Sequence, residues 1–321
     1  MGQCQWEWVA YAASAIVGAF ALCYTSRAAL FLWRVILRPG HNLKKKYGGW
    51  AVVTGCTDGI GKAFCEELAK KKIPLLLISR TESKLEALAS DLKEKHGSSY
   101  QVKWVAADFS NADDRTWAKI SSAVKDIDVG MLFNNVGLSY PHAEYLHNLD
   151  EEIVSQLIKV NVVGTTKMTT LVLPGMIERK RGAIINIGSG AATVLPSDPL
   201  YAVYAGTKAY VDQFSRTLYS EYKRFNIDVQ LQAPLFVVSK MSKIRRSSIT
   251  VPTPRGYARA GLKTIGHESR VSPYWSHALM WAFVRSLPER IMDNIRYKQS
   301  TSIRKRALAK KAQKAAGGKS S

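Results

Sequence analysis

Short runs of apolar residues alternate with stretches of helical periodicity through most of the chain. The six runs lie at 50–53, 75–78, 102–107, 129–133, 183–187 and 227–231. Strands that alternate with helices indicate βαβ units, and apolar strands are typical of a parallel sheet covered by helices on both faces. The pattern predicts an α/β fold, a Rossmann-type doubly wound parallel sheet.

The N-terminal residues differ from this pattern, because Trp8 to Tyr24 are nearly all apolar and carry no charge. A membrane-spanning helix needs about 20 apolar residues, with about 17 as the lower limit. Only Glu7 is charged before the run, so the basic start of a cleavable signal peptide is missing. We expect a retained anchor helix, with an amphipathic or buried helix as the alternative. The positive-inside rule places the following domain in the cytosol, because basic residues come only after the run: Arg27, Arg34, Arg38, Lys44, Lys45 and Lys46.

The 321 residues are enough for two domains by length alone. No linker rich in Gly, Ser or Pro divides them, so we expect one domain between two flanking segments. The predicted boundaries are 1–47 for the anchor and a basic juxtamembrane segment, 48–292 for the domain, and 293–321 for a basic C-terminal tail.

The net charge of the chain is +21, and much of it lies in the tail. Basic residues near an anionic lipid surface contribute about 1 kcal/mol each, while nucleic acid is the rival partner of a basic tail. With an anchor at the other end of the chain, we expect lipid or solvent and no nucleic acid. The basic residues of the tail are Arg296, Lys298, Arg304, Lys305, Arg306, Lys310, Lys311, Lys314 and Lys319.

The four cysteines and six histidines have neither the spacing of a metal site nor that of a disulfide framework. We therefore predict no metal and reduced thiols. Cys4 and Cys23 flank the anchor, where acylation is a weaker alternative to ordinary packing.

A glycine-rich segment from Thr54 to Gly61 follows the first strand and precedes a stretch of helical periodicity. Gly55 and Gly59 allow a tight turn that approaches a pyrophosphate, and the helix N-terminus offers N–H groups to the anion. An ordinary βα turn is the alternative. The segment predicts a dinucleotide site with the candidate residues Gly55, Thr57, Asp58, Gly59, Ile60 and Gly61.

The second strand ends in Ser79-Arg80, where a site for NADH usually has an acidic residue on the ribose. A guanidinium can instead hold the 2′-phosphate of NADPH in two hydrogen bonds. Arg80 therefore favours NADPH over NADH. The alternative is an exposed Arg before the helix that starts near Glu82.

Tyr204 and Lys208 are four residues apart and would lie on one face of a helix. A phenol ordinarily has a pKa of about 10, and a nearby cation favours the phenolate, so the pair can exchange a proton near neutral pH. Two exposed residues of an amphipathic helix are the alternative for this spacing alone. Tyr201 is a rival, but Ala205 is the residue four positions after it.

The chain resembles the short-chain dehydrogenase/reductase family over about residues 48–290. The resemblance implies that Tyr204 is the acid that protonates a substrate carbonyl, and that Ser189 hydrogen-bonds the same oxygen. It also implies that Lys208 lowers the pKa of Tyr204 and holds the nicotinamide ribose, and that Asn161 holds a water linked to Lys208. The motifs that carry it are, in chain order, the glycine turn, Asp108, Asn134-Asn135-Val136-Gly137, Asn161, Ser189 and the Tyr204/Lys208 pair.

The resemblance implies further cofactor contacts. Asp108 would contact the adenine, Asn135 and Gly137 the adenosine ribose, and Ser239 the nicotinamide or pyrophosphate. Capping of a local turn is the alternative for Asp108, and bonding to local backbone is the alternative for Asn135.

The family also places a substrate lid at about 239–273, where apolar and basic residues are mixed. Basic groups there would meet the phosphates of coenzyme A, and apolar groups would flank an acyl chain or the membrane. A solvated, charged loop is the alternative. The residues concerned are Met241, Ile244, Val251, Tyr257 and Leu262, together with Lys243, Arg245, Arg246, Arg255 and Lys263.

Within the family, the segments 38–39, 47–51, 182–192 and 234–246 resemble the membrane-bound 3-oxoacyl-CoA reductases of microsomal fatty-acid elongation. This implies NADPH-dependent reduction of very-long-chain 3-oxoacyl-CoA to 3-hydroxyacyl-CoA at the endoplasmic reticulum membrane, with a long-chain acyl-CoA as substrate and other elongation enzymes as partners. Similar enzymes carry the name 17β-hydroxysteroid dehydrogenase, so a hydroxysteroid dehydrogenase is the alternative activity. A membrane scaffold that keeps the fold without the chemistry is the third possibility.

Overall fold

The computed structural model describes residues 2–317, which form two compact units that meet in the sequence between Pro39 and Gly40. In the first unit, helix α1 (Gly2–Leu32) continues into a π-helical turn, Trp33–Leu37. The stretch Trp6–Leu37 is long and apolar enough to cross a membrane and includes the predicted anchor. The expectations for Cys4, Lys314 and Lys319 concern side chains outside the described residues.

The second unit contains a parallel sheet in the order β3-β2-β1-β4-β5-β6-β7. The six predicted strands are confirmed, whereas β7 has only two residues and leaves no apolar run in the sequence. The strands are β1 (Trp50–Thr54), β2 (Leu75–Ser79), β3 (Val102–Ala106), β4 (Val129–Asn134), β5 (Gly182–Ile187), β6 (Ile227–Gln232) and β7 (Arg270–Val271).

Helices cover both faces of the sheet, as the doubly wound fold requires. One apolar core contains side chains of α3, α4 and α10, and the other contains side chains of α5, α7 and α9. The helices are α2 (Leu43–Tyr47), α3 (Gly59–Lys70), α4 (Glu82–His96), α5 (Asp114–Lys125), α6 (Glu151–Ile158), α7 (Thr165–Glu178), α8 (Gly190–Thr193), α9 (Ala202–Tyr222), α10 (Pro254–Thr264), α11 (Trp275–Ser286) and α12 (Glu289–Gly317). A π-helix, Lys159–Gly164, separates α6 from α7.

The second unit begins earlier than the boundary expected at residue 48. Leu43 and Tyr47 of α2 are almost completely buried in the core. The Tyr47 hydroxyl donates to Asp228 Oδ2 at 2.6 Å, and Lys46 pairs with the same oxygen at 2.8 Å. Burial and the Asp228 charge raise the pKa of Tyr47, so the phenol remains a donor. These contacts make the juxtamembrane segment part of the folded unit.

The expected lid contains a core helix. Tyr257 and Leu262 of α10 are buried beside Phe64 of α3, so they cannot flank an acyl chain. Arg255 pairs with Glu67 at 3.0 Å. The mixture of apolar and basic residues in this segment suggested an amphipathic ligand, whereas the apolar face of α10 packs on α3, which is far away in the sequence.

Tyr47→Phe should lower the stability of the second unit. The Asp228 carboxylate loses a donor in a partly buried place, and such a hydrogen bond contributes about 1–2 kcal/mol. Thermal unfolding of the detergent-solubilised protein should therefore show a midpoint lower by a few degrees. Tyr222→Phe, at the end of α9, is the matched control and should leave the midpoint unchanged; an equal shift in both variants would contradict the role of the Tyr47–Asp228 bond.

Candidate active site

The turn after β1 approaches the backbone after β4 so closely that two positions admit only glycine. Gly55 has φ +63°, and a Cβ there would lie 2.8 Å from Val136 Cα. A Cβ on Gly61 would lie 2.3 Å from Asn135 Nδ2. That amide donates to the carbonyl oxygens of Thr54 and Gly55 at 3.1 and 3.0 Å. The Asn135 amide therefore joins the loop after β4 to the turn after β1, about 80 residues earlier, instead of bonding backbone close to it in the sequence.

The N-terminus of α3 faces the loop after β6. Asp58 caps the helix, accepting the Gly59 N–H at 2.7 Å, and pairs with Lys240 of that loop at 2.8 Å. Burial alone would raise the pKa of Asp58, but the bonds from Lys240 and Gly59 hold it below its ordinary value. A Cβ on Gly59 would lie 3.7 Å from Ser239 Cβ, so Ser239 lies over the turn. The helix N-terminus between these two loops fits a pyrophosphate group.

The edge of the glycine turn lies beside the end of β2. Thr57 Oγ1 and Ser79 Oγ are 3.0 Å apart and share a hydrogen bond. Arg80, the next residue, is exposed. The Lys84 charge in the first turn of α4 contributes to the lowered pKa of Asp58 and therefore acts at the same place. Two cations at this edge fit an additional phosphate on the cofactor ribose.

Two other predicted cofactor residues have local contacts. Asp108 Oδ1 accepts from the backbone and side chain of Ser110 at 3.0 and 2.8 Å, which is the local turn considered as the alternative. This turn uses one of the two carboxylate oxygens. Ile60 is partly buried against the core below the turn.

The structure brings Tyr204 and Ser189 together. Ser189 lies two residues after β5, where its Oγ accepts the Ala191 N–H at 3.2 Å, and its side chain is close enough to the Tyr204 phenol to lower the pKa of that phenol. Burial raises the pKa of Tyr204, the Ser189 side chain opposes this, and the Asp198 charge adds to the rise. The lowering of this pKa by Lys208 stays a prediction.

Lys208 is directed elsewhere, since its Nζ donates to the Ile187 carbonyl at 2.9 Å. Its side chain is buried, and this desolvation lowers its pKa to about 8. A Cβ on Gly137 would lie 3.4 Å from Lys208 Nζ and 3.5 Å from Asn161 Oδ1. The missing side chain of Gly137 leaves space beside the ammonium, as ribose hydroxyls would need.

Asn161 holds the loop after β4 against α9. Its Nδ2 donates to the Leu138 carbonyl at 2.9 Å and to Thr207 Oγ1 at 3.0 Å, and its Oδ1 accepts the Leu138 N–H at 2.8 Å. The residue lies in the π-helix, a widened turn often found at functional sites. Both N–H groups of the amide are therefore occupied, while Oδ1 keeps a second lone pair free to accept a hydrogen bond.

Tyr140 is a site residue that sequence reasoning missed. Its hydroxyl accepts the Val203 N–H at 3.0 Å, at the start of α9. Tyr201, in the N-cap position, provides no side-chain cap, so Tyr140 does this from a distant loop. Leu200 precedes the helix with φ +67°, a strained conformation for this residue type. No local sequence signal reveals a cap 63 residues away.

Residues 49–249 match the short chain dehydrogenase family. The chain is 44% identical over 283 residues to a very-long-chain 3-oxoacyl-CoA reductase-like protein of Arabidopsis thaliana, covering 87% of this chain and 88% of the relative. It is 39% identical over 294 residues to the very-long-chain 3-oxoacyl-CoA reductase of Homo sapiens, covering 91% and 92%. An inactive hydroxysteroid dehydrogenase-like protein of Homo sapiens is 40% identical over 272 residues, covering 84% and 81%.

Solved structures share the fold. A 7β-hydroxysteroid dehydrogenase has a TM-score of 0.69 at 24% identity, covering 80% of this chain and 99% of that protein. A short-chain dehydrogenase from Sphingobium yanoikuyae in complex with NADPH has a TM-score of 0.58 at 25% identity, covering 67% and 83%.

Lys208→Met should change how the stability of the cofactor-free protein depends on pH. The folded-state pKa of about 8 lies below the unfolded value near 10.5, so the unfolded chain binds more protons between these values. Wild type therefore gains stability as pH rises from about 8 to 10, and the variant lacks this gain. Between pH 8 and 10, the unfolding midpoint of wild type should therefore rise relative to that of Lys208→Met.

The matched control is Lys93→Met on the exposed side of α4. Its midpoint should follow wild type at every pH. A constant difference between Lys208→Met and wild type would show that Lys208 has an ordinary pKa.

Proposed function

Since the chain belongs to the short-chain dehydrogenase family, we propose that this oxidoreductase uses NADPH to reduce a very-long-chain 3-oxoacyl-CoA to the 3-hydroxyacyl-CoA. The observation that carries the substrate is the likeness, over about nine-tenths of the chain, to proteins named very-long-chain 3-oxoacyl-CoA reductase. The proposed location is the endoplasmic reticulum membrane, with α1 as the anchor and the second unit in the cytosol. Other elongation enzymes are the proposed partners.

Tyr204 and Ser189 are the proposed catalytic pair. The reduced nicotinamide supplies hydride to the carbonyl carbon. The Tyr204 phenol gives its proton to the carbonyl oxygen, and the Ser189 hydroxyl stabilises negative charge at that oxygen. A raised pKa suits this role, because the phenol is protonated at neutral pH before the reaction begins.

Lys208 and Asn161 have the proposed supporting roles. With a pKa of about 8, Lys208 is mostly protonated at pH 7 and presents an ammonium to the space beside Gly137. Ribose hydroxyls of the cofactor would accept hydrogen bonds there. The π-helix at Asn161 offers backbone to a water that returns protons to this end of the site.

The remaining proposed cofactor contacts surround the glycine turn. The α3 N-terminus and Ser239 would hold the pyrophosphate, and Asp108 with Gly137 would border the adenosine. Arg80 would hold the 2′-phosphate, with Lys84 adding positive charge at the same edge.

Tyr204→Phe should lower the rate of NADPH oxidation with a long-chain 3-oxoacyl-CoA by about 10²–10⁴-fold, the usual contribution of a positioned acid. Affinity for NADPH, measured by the fluorescence of the bound nicotinamide, should stay within about twofold, because the ring and fold are kept. Tyr201→Phe is the matched control, one turn earlier, and should retain activity.

The same assay decides between the alternative functions. Turnover of a 17-oxosteroid without turnover of the acyl-CoA would replace the proposed substrate. Absence of both activities in a folded protein that binds NADPH would favour a scaffold. One relative is itself named an inactive hydroxysteroid dehydrogenase-like protein. If activity survived in Tyr204→Phe but not in Tyr201→Phe, Tyr201 would be the catalytic acid in place of Tyr204.

Arg80→Leu should weaken NADPH binding by about tenfold or more while leaving NADH binding within about twofold, because a charge-assisted phosphate contact contributes about 1.5–3 kcal/mol. Dissociation constants for the two cofactors measure this effect directly. Arg115→Leu on α5 is the charge-matched control. If the variant bound NADPH and NADH equally more weakly, Arg80 would not be the residue that contacts the 2′-phosphate.

A further inference from the structure

A basic groove lies between α12 and the loop after β6. Its volume is about 470 Å³, and its three basic side chains, Arg296, Lys298 and Arg306, come from α12. Phe236 lines the groove from the loop after β6, and its side chain is half exposed. The groove is separate from the glycine turn and from the proposed cofactor contacts.

The loop that carries Phe236 packs on the catalytic cleft. The Gly190 N–H, next to Ser189, donates to the Pro234 carbonyl at 2.8 Å. A Cβ on Gly190 would lie 2.2 Å from Leu235 Cδ2, so Leu235 closes directly over this glycine. The groove therefore borders the place where a substrate carbonyl would meet Ser189.

A buried arginine fixes α12 to the same cleft. Arg296 Nε donates to Asp198 Oδ1 at 3.2 Å, and its Nη1 donates to Gln299 Oε1 at 2.9 Å. Only 9% of Arg296 is exposed. Asp198 lies close enough to Tyr204 for its charge to act on the phenol. The groove therefore has a fixed position relative to the catalytic residues.

The other two cations of the groove have no acidic partner. Lys298 and Arg306 are exposed, and no carboxylate within residues 6–313 lies in ion-pair distance of either. Arg255 of the expected lid, in contrast, is paired with Glu67. Two unpaired cations beside a half-exposed aromatic ring match a ligand that combines phosphates with a flat base.

We propose that this groove binds the phosphorylated adenosine end of the coenzyme A thioester, a step that rests on the proposed acyl-CoA substrate. Lys298 and Arg306 bind the phosphates, and Phe236 stacks on the adenine. The pantetheine arm then runs along the loop after β6 toward Ser189 and Tyr204. This assigns to α12 the phosphate contacts that the sequence placed on the lid.

Coenzyme A binding to the full-length protein in detergent tests the proposal by isothermal titration calorimetry. The protein is saturated with NADP⁺, so that the adenosine of coenzyme A cannot occupy the dinucleotide site. Lys298→Ala/Arg306→Ala is expected to weaken binding by about tenfold or more. Lys305→Ala/Lys310→Ala removes the same charge from exposed positions outside the groove and should bind like wild type. Equal binding by wild type and the groove variant, or no binding by wild type, overturns the proposal.

Two further variants and ligands separate the competing sites. Arg245→Ala/Arg246→Ala removes two exposed lid cations and should leave coenzyme A binding unchanged. If this variant lost affinity tenfold and the groove variant lost none, the lid would bind the phosphates and the proposal would be wrong. Soluble dioctanoyl phosphatidylserine should not displace coenzyme A. If it does so while the groove variant binds neither ligand, the groove is an anionic lipid site and the proposal is wrong.

Turnover distinguishes failure of this inference from failure of the proposed function. The groove variant should raise KM for a 3-oxoacyl-CoA but not for the matching 3-oxoacyl-pantetheine thioester, which lacks the nucleotide. A wild-type protein that reduces neither thioester contradicts the proposed function, and the titration still reports on the groove. If the wild-type protein reduces both thioesters and the groove variant has an unchanged KM for the 3-oxoacyl-CoA, only the proposed role of the groove is contradicted.

Discussion

The candidate site depends on the close approach of the backbone after β1 to the backbone after β4. Parallel pairing of these strands brings their carboxyl ends to the same edge of the sheet. The Thr54 hydroxyl accepts the N–H groups of Asn135 and Val136, each at 3.1 Å, and so fixes the two loops to one another. Gly55 and Gly61 permit this distance, since a Cβ at either would collide with the facing loop. The α3 N-terminus is aimed into the cleft because of this contact.

A buried polar layer connects β4 and β5 with α7 and α9 below the candidate site. Asn134 Nδ2 donates to Asn186 Oδ1 at 2.9 Å and to Thr169 Oγ1 at 3.0 Å, and Asn186 Nδ2 donates to Ser215 Oγ at 2.8 Å. Such a network orients neighbouring elements through directional bonds, at the expense of apolar burial. Lys208 adds to this loss of stability, because its ammonium is desolvated and donates a hydrogen bond to the Ile187 carbonyl. These buried polar groups lower the stability of the fold, but they hold the hydrogen-bond donors of the site in fixed positions.

Local patterns predicted the strands and the glycine turn, because each of these is encoded within a few consecutive residues. Contacts between distant segments were not predictable in this way. Tyr140 caps α9 from another loop, Arg296 meets a carboxylate 98 residues away, and Tyr257 is buried by a helix near the start of the domain. A single sequence records the residue types at such contacts without recording which of them meet. The direction of the Lys208 ammonium was missed for the same reason, since its acceptor is the backbone of β5.

The basic residues of α12 have different roles, depending on whether each one pairs with a carboxylate. Along the sequence they form one basic run, which composition alone assigns to a solvated or lipid-bound tail. In the fold, Arg296 pairs with Asp198 and Arg304 with Glu144, so two of these charges attach the helix to loops beside the candidate site. A helix fixed at two points holds its remaining cations in fixed positions, which a solvated tail cannot do. An anion that binds there loses less conformational freedom than one that must order a flexible chain, and this pre-organisation makes selective recognition of a phosphorylated ligand physically reasonable.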